Sequence, residues 1–382
     1  MQIGMKSRLV RFCGGSVAAF ALVLLSAHGL AAEGGKKGEK GASEDATRLQ
    51  VFLDRAQFAP GKIDGHYGEF TLRALALYRQ ANGGGAPAAD TQAPEGKGKQ
   101  ASKKAEAPDV SDLNLASVDP LFVDYTVTED DLAAVGDLAE SVPEQAKQKS
   151  LPYKDAAEAI AEKFHTDVDY LVELNPGKRS GIKAGDVLKV PNVEPFQLTA
   201  VKDLKPGSEL GSGGANEFGD EANPAKEESP KREGKKGEKE QDAAPAPPTT
   251  SVKIDTKTNM LTVYDGEKLI AAYPVTIGSE QTKSPIGDWK VSAVAKMPNF
   301  RYDEAMLQKG ERSENFHMLP PGPNNPVGVV WIALNKKGIG LHGTAEPDSI
   351  GRSASHGCVR LANWDVVRLA AKVTKGVPVS IH

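Results

Sequence analysis

The sequence predicts a multidomain chain: a mainly β C-terminal domain with few helices, preceded by a small α-helical domain and an α+β domain. Three observations lead there. Only 39% of the 382 residues are hydrophobic, and 39 Gly with 25 Pro point to sizeable linkers between packed blocks. Residues 46–82 repeat apolar side chains at helical spacing, and 122–193 joins two such stripes to strand-like ends. Residues 250–382 show short alternating runs bounded by turn residues.

Residues 1–32 come first. Lys6, Arg8 and Arg11 precede an apolar run from Val17 to Leu25, and small residues follow to Ala31-Ala32. This pattern reads as a secretory signal peptide, too short for an ordinary membrane span. The chain is therefore expected to be exported, to the periplasm or cell envelope, with membrane contact only through an uncleaved signal segment. Cys13 lies before the apolar run, which argues against a lipid anchor on it. Losing these three cations and no acids takes the formal net charge from −4 to −7. A mildly acidic product offers no electrostatic reason to bind nucleic acid. One cysteine then remains, so no internal disulfide can form. Cys358 is a buried thiol, an intermolecular partner or a nucleophile.

Residues 33–45 are rich in Gly, Lys and Glu and are expected to be disordered. In 46–82, Leu49, Phe52, Leu53 and Ala56 form one helical stripe, and Leu72, Leu75 and Tyr78 form another. The turn Pro60-Gly61-Lys62-Ile63-Asp64-Gly65-His66-Tyr67-Gly68 separates them. LQVFLDRAQFAPGKIDGHYGEFTLRAL resembles a small peptidoglycan-binding domain. Residues 83–121 read as a linker. In 122–193, Ala156, Ile160 and Phe164 make one stripe and Tyr170, Leu171 and Leu174 another, ended by Asn175-Pro176-Gly177. Tyr125 to Val127 and Ile182 to Val190 read as strands. AIAEKFHTDVDYLVELNPG with IKAGDVLKVPN resembles a LysM module, departing from it in a long acidic helical insertion between Glu129 and Lys154. Residues 194–249 read as a disordered linker.

In 250–382, strands are expected around Val252 to Ile254, Leu261 to Tyr264, Leu269 to Ile277, Trp289 to Ala295 and Val329 to Leu334. Asn363 is placed to cap a helix over Trp364 to Thr374, with Gly376 as its terminator and Val377 to Ile381 as a closing strand. The stretch from Lys296 to Pro326 is long for a loop and reads as a lid, with Arg301, Tyr302 or His317 touching substrate.

The chemistry centres on Ser355-His356-Gly357-Cys358-Val359-Arg360 and on His342-Gly343-Thr344. A thiol of ordinary pKa is only slightly ionised at neutral pH, so a nucleophilic cysteine needs a base in reach or a field favouring its anion. His342 and His356 are both candidates. His356 lies two residues from Cys358 on the same tight segment, where side chains usually diverge. His342 comes from another segment and can meet the sulfur face-on. Gly357 lets the backbone curl, so that the N–H groups of His356, Gly357 and Cys358 point at a developing oxyanion. A metal site is the competing use of two His and one Cys, but further ligands at metal spacing are missing. With no glycine-rich nucleotide motif either, no cofactor is expected.

IGLHGTAEPDSIGRSASHGCVRLAN resembles the signature of the YkuD-type L,D-transpeptidases, and NMLTVYDGEKLIAAYPVTIGS, SPIGDWKV and GPNNPVGVVWIAL extend the likeness over most of 250–382, with Ser284 where threonine is usual. The resemblance implies a YkuD-like β-sandwich acting on peptidoglycan. Cys358 would be acylated by a tetrapeptide stem with loss of D-Ala, and His342 would be general base and later acid, oriented by a carbonyl near Gly343. His356, Gly357 and the Cys358 amide would line the oxyanion site, with Ser355 orienting His356 or holding the loop. Arg360 would bind a substrate carboxylate or lock the loop by a salt bridge. An acceptor stem would complete a 3→3 cross-link; water would make the protein an L,D-carboxypeptidase, and a lipoprotein lysine an anchoring enzyme. A wall-binding protein without catalysis, or a cysteine peptidase of another fold, are the readings that compete.

Overall fold

A computed structural model describes residues 42–83, 107–203, 248–278, 286–305, 313–336, 338–352 and 358–382. The expected signal peptide, the turn around Ser284 and the segment Ser355-His356-Gly357 lie outside these residues. Among the described residues no helix is long and apolar enough to cross a membrane.

The first helix, α1 (Glu44–Arg55), starts at Ser43, whose side chain accepts from the Ala46 N–H, and carries Glu44 and Asp45 where the helix dipole favours acids. It thus begins inside the stretch expected to be disordered. Leu49 and Leu53 are fully buried on its inner face. α2 (Glu69–Ala81) packs back on it, with the Phe52 and Tyr78 rings edge to face at 5.0 Å. The 107–121 stretch, expected as linker, is also built in. Its 3-10 turn Leu115–Val118 buries Val118, and Arg79 Nε donates to Asp112 at 2.9 Å.

In the second block, β1 (Phe122–Thr126) is followed by the single turns α3 (Glu129–Leu132) and α4 (Val142–Gln145), then by α5 (Ala156–Lys163) and α6 (Val168–Leu174). Asp155 and Asp167 cap the last two, each accepting main-chain N–H bonds. β2 (Val187–Pro191) returns antiparallel to β1, giving β-α-α-β with the predicted insertion between the first strand and α5.

The third block holds β3 (Thr250–Asp255), β4 (Met260–Asp265), β5 (Lys268–Pro274), β6 (Gly287–Lys296), β7 (Phe300–Tyr302), β8 (His317–Leu319), β9 (Val330–Leu334), β10 (Gly340–His342), β11 (Val359–Arg360), α7 (Asn363–Ala370) and β12 (Pro378–Ile381). The expected sandwich of two sheets is not what these strands make. One mixed sheet runs β11-β10-β9-β6-β12-β3-β4-β5. It curls until its edges meet: Thr276, just past β5, and Arg360 of β11 exchange two main-chain hydrogen bonds of 2.9 Å. Val252, Ile254, Leu261, Val263, Ile332, Leu341 and Val359 therefore face one core with Trp364 and Leu369 of α7. Each such fully buried side chain contributes about 1.5–3 kcal/mol by leaving water.

Independent blocks on tethers were expected; the described residues between Ala42 and His382 instead form one compact unit. After α1, Gln57 accepts from Ala272 N–H and Ala59 donates to Ala272 O, both near 2.9 Å, so the helical block covers the outer edge of β5. Ile63 pairs in the same way with the second block, donating to His165 O at 2.8 Å and accepting from Asp167 at 3.0 Å. The start of the expected linker 194–249 is also docked, since Phe196 and Val201 are buried in the core of the curled sheet.

At the centre of this junction Asp54 of α1 accepts two hydrogen bonds from Arg368 of α7, at 2.9 and 3.0 Å, and a third from His165 Nδ1 at 3.1 Å. The His165 ring lies flat on Trp364 at 5.3 Å. Each of the three blocks supplies a member of this cluster.

Candidate active site

The site lies on the face of the sheet turned away from the main core. The β9–β10 hairpin sets His342 opposite Trp331, and β10 runs parallel to β11 with His342 opposite Arg360 and Leu341 opposite Val359. Leu341 and Val359 point into the core, so alternation sends His342, Arg360 and Trp331 to the other face. Cys358 precedes β11 by one residue and continues this register beside Gly340. Two residues along the strand restore the face, so Cys358 and His342 share it one diagonal step apart. The thiol packs beside Ala295, Val327, Trp331 and Ala333, and Sγ donates to Gly338 O at 3.5 Å.

His342 is only 5% exposed and is held on two sides. Its ring stacks on the Trp331 indole, 5.1 Å between centroids and 9° from parallel. Its Nδ1–H donates to the Gly343 carbonyl at 2.6 Å, which leaves Nε2 as the unprotonated nitrogen. Burial pushes its pKa down to about 4, and the Arg360 charge adds to that; the hydrogen bond to Gly343 opposes both. Burial likewise pushes the Cys358 thiol up to about 11. At neutral pH the pair rests as thiol and neutral imidazole. Such a pair can generate a sulfur nucleophile by passing the proton to Nε2 as a carbonyl carbon is attacked.

Of the other expected site residues, Gly343 supplies the carbonyl just described. Arg360 is half-buried in β11, tied to Thr276 through its main chain. Tyr302 sits in the β7–β8 hairpin of the expected lid, paired with His317. Arg301 is engaged within that hairpin: it pairs with Asp303 at 2.6 Å and covers the Phe316 ring at 3.9 Å. The base of the hairpin docks on the second block, where Leu151 N–H donates to Pro321 O at 3.0 Å and Asn324 Nδ2 to Pro152 O at 2.7 Å. No cluster of His, Cys, Asp and Glu suited to a metal occurs among the described residues.

The sequence reading passed over two residues. Trp331 faces His342 across the β9–β10 pairing, a role that a tryptophan in an apolar strand does not announce. Asn363 does not cap α7; that helix begins after Ala362 and ends at Ala370. Instead, Asn363 Oδ1 accepts from Val329 N–H and Nδ2 donates to Pro323 O, both at 3.2 Å.

Gly340 has no room for a side chain. A Cβ there would lie 2.6 Å from Trp331 Cε2 and 2.9 Å from Ile332 O. Gly340→Ala must displace the indole on which His342 stacks. We expect about 1–3 kcal/mol of destabilisation from overpacking, and a loss of Cys358 reactivity towards an acylating ester approaching 100-fold, the scale of a 1 Å misplacement of a reacting group. Thermal unfolding alongside single-turnover acylation measures both.

Comparison with known proteins adds the following. The family model for the YkuD L,D-transpeptidase catalytic domain matches residues 249–381. YkuD of Bacillus licheniformis is 33% identical over 121 residues, covering 32% of this chain and 58% of that protein. YqjB of Bacillus subtilis is 30% identical over 142 residues, covering 36% of this chain and 73% of its own length. The chain thus spans about three-fifths of the Bacillus YkuD proteins, 58% and 64%. L,D-transpeptidase 3 from Mycobacterium tuberculosis, solved with a faropenem-derived adduct, aligns at a TM-score of 0.30 and 15% identity, over 35% of this chain and 60% of that one.

Proposed function

Since the chain belongs to the YkuD family of L,D-transpeptidases, we propose that it is an exported cell-wall enzyme that joins peptidoglycan stem peptides through a thioester on Cys358. The observation that carries this reading is a buried histidine whose Nδ1–H is engaged by Gly343, on the sheet face that also bears the thiol. As sulfur attacks the carbonyl carbon of the third stem residue, its proton passes to His342 Nε2. The tetrahedral intermediate collapses with cleavage of the C–N bond to D-Ala, and the imidazolium returns the proton to the departing amine. The amine of a second stem then attacks the thioester and gives its proton to His342, which passes it to the departing sulfur as the C–S bond breaks and so restores the thiol. The product is a 3→3 cross-link. Water in the acceptor place yields a tripeptide, and a lipoprotein lysine yields an anchored protein. The Cys358 amide, with those of His356 and Gly357, is assigned to the oxyanion, and Arg360 to a substrate carboxylate. The two preceding blocks are assigned to peptidoglycan, and the working place to the periplasm or cell envelope.

Mass spectrometry of the full chain with a disaccharide-tetrapeptide tests this. The expected result is a Cys358-bound acyl group lacking D-Ala, followed by a dimer, both absent in Cys358→Ser. Tripeptide without dimer makes the enzyme a carboxypeptidase. No Cys358-dependent change removes the proposal.

A further inference from the structure

Resting on that reading, we propose that Asn363 is a positioning residue for the general base His342, and that Glu162 of the second block braces it. The geometry begins at Gly343. Its carbonyl fixes the His342 tautomer, so whatever holds that peptide holds the base. Asn363 is wedged behind it: a Cβ on Gly343 would lie 2.2 Å from Asn363 Oδ1, and one on Gly328 2.1 Å from the same oxygen. The Asn363 amide therefore fills the space that side chains at 328 and 343 would take. Its own orientation is fixed by the hydrogen bonds to Val329 N–H and Pro323 O. With Asn363 1% exposed, no water competes for these groups.

Behind Asn363 stands α5. The buried Glu162 carboxyl lies against the Asn363 amide and the Tyr153 hydroxyl. Its Oε1 has no hydrogen-bond partner among the described residues. A buried polar atom left in that state is costly, and the helix that carries it packs against α7. Burial raises this carboxyl to about 8, so it stands neutral against the amide at pH 7. The support for a base in the third block thus reaches into the second: Glu162, Asn363, Gly343, His342.

The test is made on the full chain carrying 15N-labelled histidine. Ring 15N resonances, assigned with His342→Gln, report the tautomer of His342 without substrate. Acylation rates and unfolding temperatures are taken on the same samples. In the wild type Nδ1 is expected to be protonated. Asn363→Ala should give a mixture of tautomers and slow acylation by about 100-fold, well beyond the loss of folded protein. Glu162→Leu should move both readouts the same way by a smaller factor, with Glu162→Gln restoring them. A wild-type ring spectrum and undiminished acylation in Asn363→Ala overturn the proposal. If that variant does not fold, Glu162→Leu decides, and an unchanged tautomer there overturns it. Because the ring spectrum needs no muropeptide, failure of the wild type to cross-link counts against the enzyme reading alone.

Discussion

His342→Ala is expected to slow acylation of Cys358 by about 100-fold to 10,000-fold at pH 7, the usual range for a positioned base. The site makes a large value reasonable. With the thiol pushed by burial to about 11, roughly one molecule in 10,000 carries a thiolate at pH 7. A reaction that waited for that anion would be slow, so the proton must move while sulfur attacks, and His342 is the group placed to receive it. The pH profile separates the two routes. Imidazole is neutral above about 4 and the thiol keeps its proton below about 11. Wild-type acylation should therefore be flat from roughly pH 5 to roughly pH 9. The variant should instead rise about tenfold per pH unit across that window, following the thiolate. Quenched-flow mass spectrometry of the acyl-enzyme reads both; parallel profiles would remove His342 from the role.

What the sequence displayed and what it concealed divide along contact range. Val252 and Ile254, or Leu261 and Val263, alternate within one strand, and a strand with one buried face must show that pattern. The same holds for Leu49 and Leu53, one turn apart on α1. The curl of the sheet is different. It depends on Thr276 meeting Arg360, residues 84 positions apart, and nothing in either segment's periodicity encodes the meeting. The docking of the blocks was concealed for the same reason. Gln57 to Ala59 looks like the end of a helix until β5 is beside it, and 194–203 looks like the start of a tether until Phe196 and Val201 are seen buried. At the site, the Cys358 thiol and the His342 imidazole were legible because their chemistry is unusual in any context. Trp331 and Asn363 were not, since a tryptophan in an apolar strand and an asparagine before a helix have ordinary uses. Only the pairing of β9 with β10 and the approach of Gly328 to Gly343 give them others.

The junction of the three blocks gives the largest expected effect on stability. Asp54→Ala should destabilise the chain by about 3–5 kcal/mol at pH 7, the cost of removing one partner from a buried ion pair. Asp54 is fully buried, and the variant leaves the Arg368 guanidinium, only 13% exposed, without its two carboxylate oxygens. The loss reaches the site as well, since Arg368 and Asn363 share α7. The pH dependence has a definite sign. Burial alone would raise the Asp54 carboxyl, but the charges of Arg368 and His165 and their hydrogen bonds hold it far below the ordinary carboxylate value. A carboxylate depressed in the folded state stabilises above its unfolded pKa of about 3.9 and loses that contribution as pH falls. The gap between wild type and Asp54→Ala should therefore be widest above about pH 5 and shrink below about pH 4. Glu162 and Asp365 act in the opposite sense. Burial raises each to about 8, so both favour the fold while protonated and give up that contribution as pH climbs from about 4 towards 8. On the acid side, buried His342 and His165 are both held below the ordinary imidazole value by burial. They lose stability as pH falls below about 6.5, with Asp54 adding its loss below about pH 4, while the two raised carboxyls set the upper flank. Urea unfolding between pH 3 and 9 can follow Trp364 fluorescence, since that indole stacks on His165 at the junction. An Asp54→Ala penalty below about 1 kcal/mol at pH 7, the range of an exposed pair, would mean that the blocks do not depend on this cluster to stay docked.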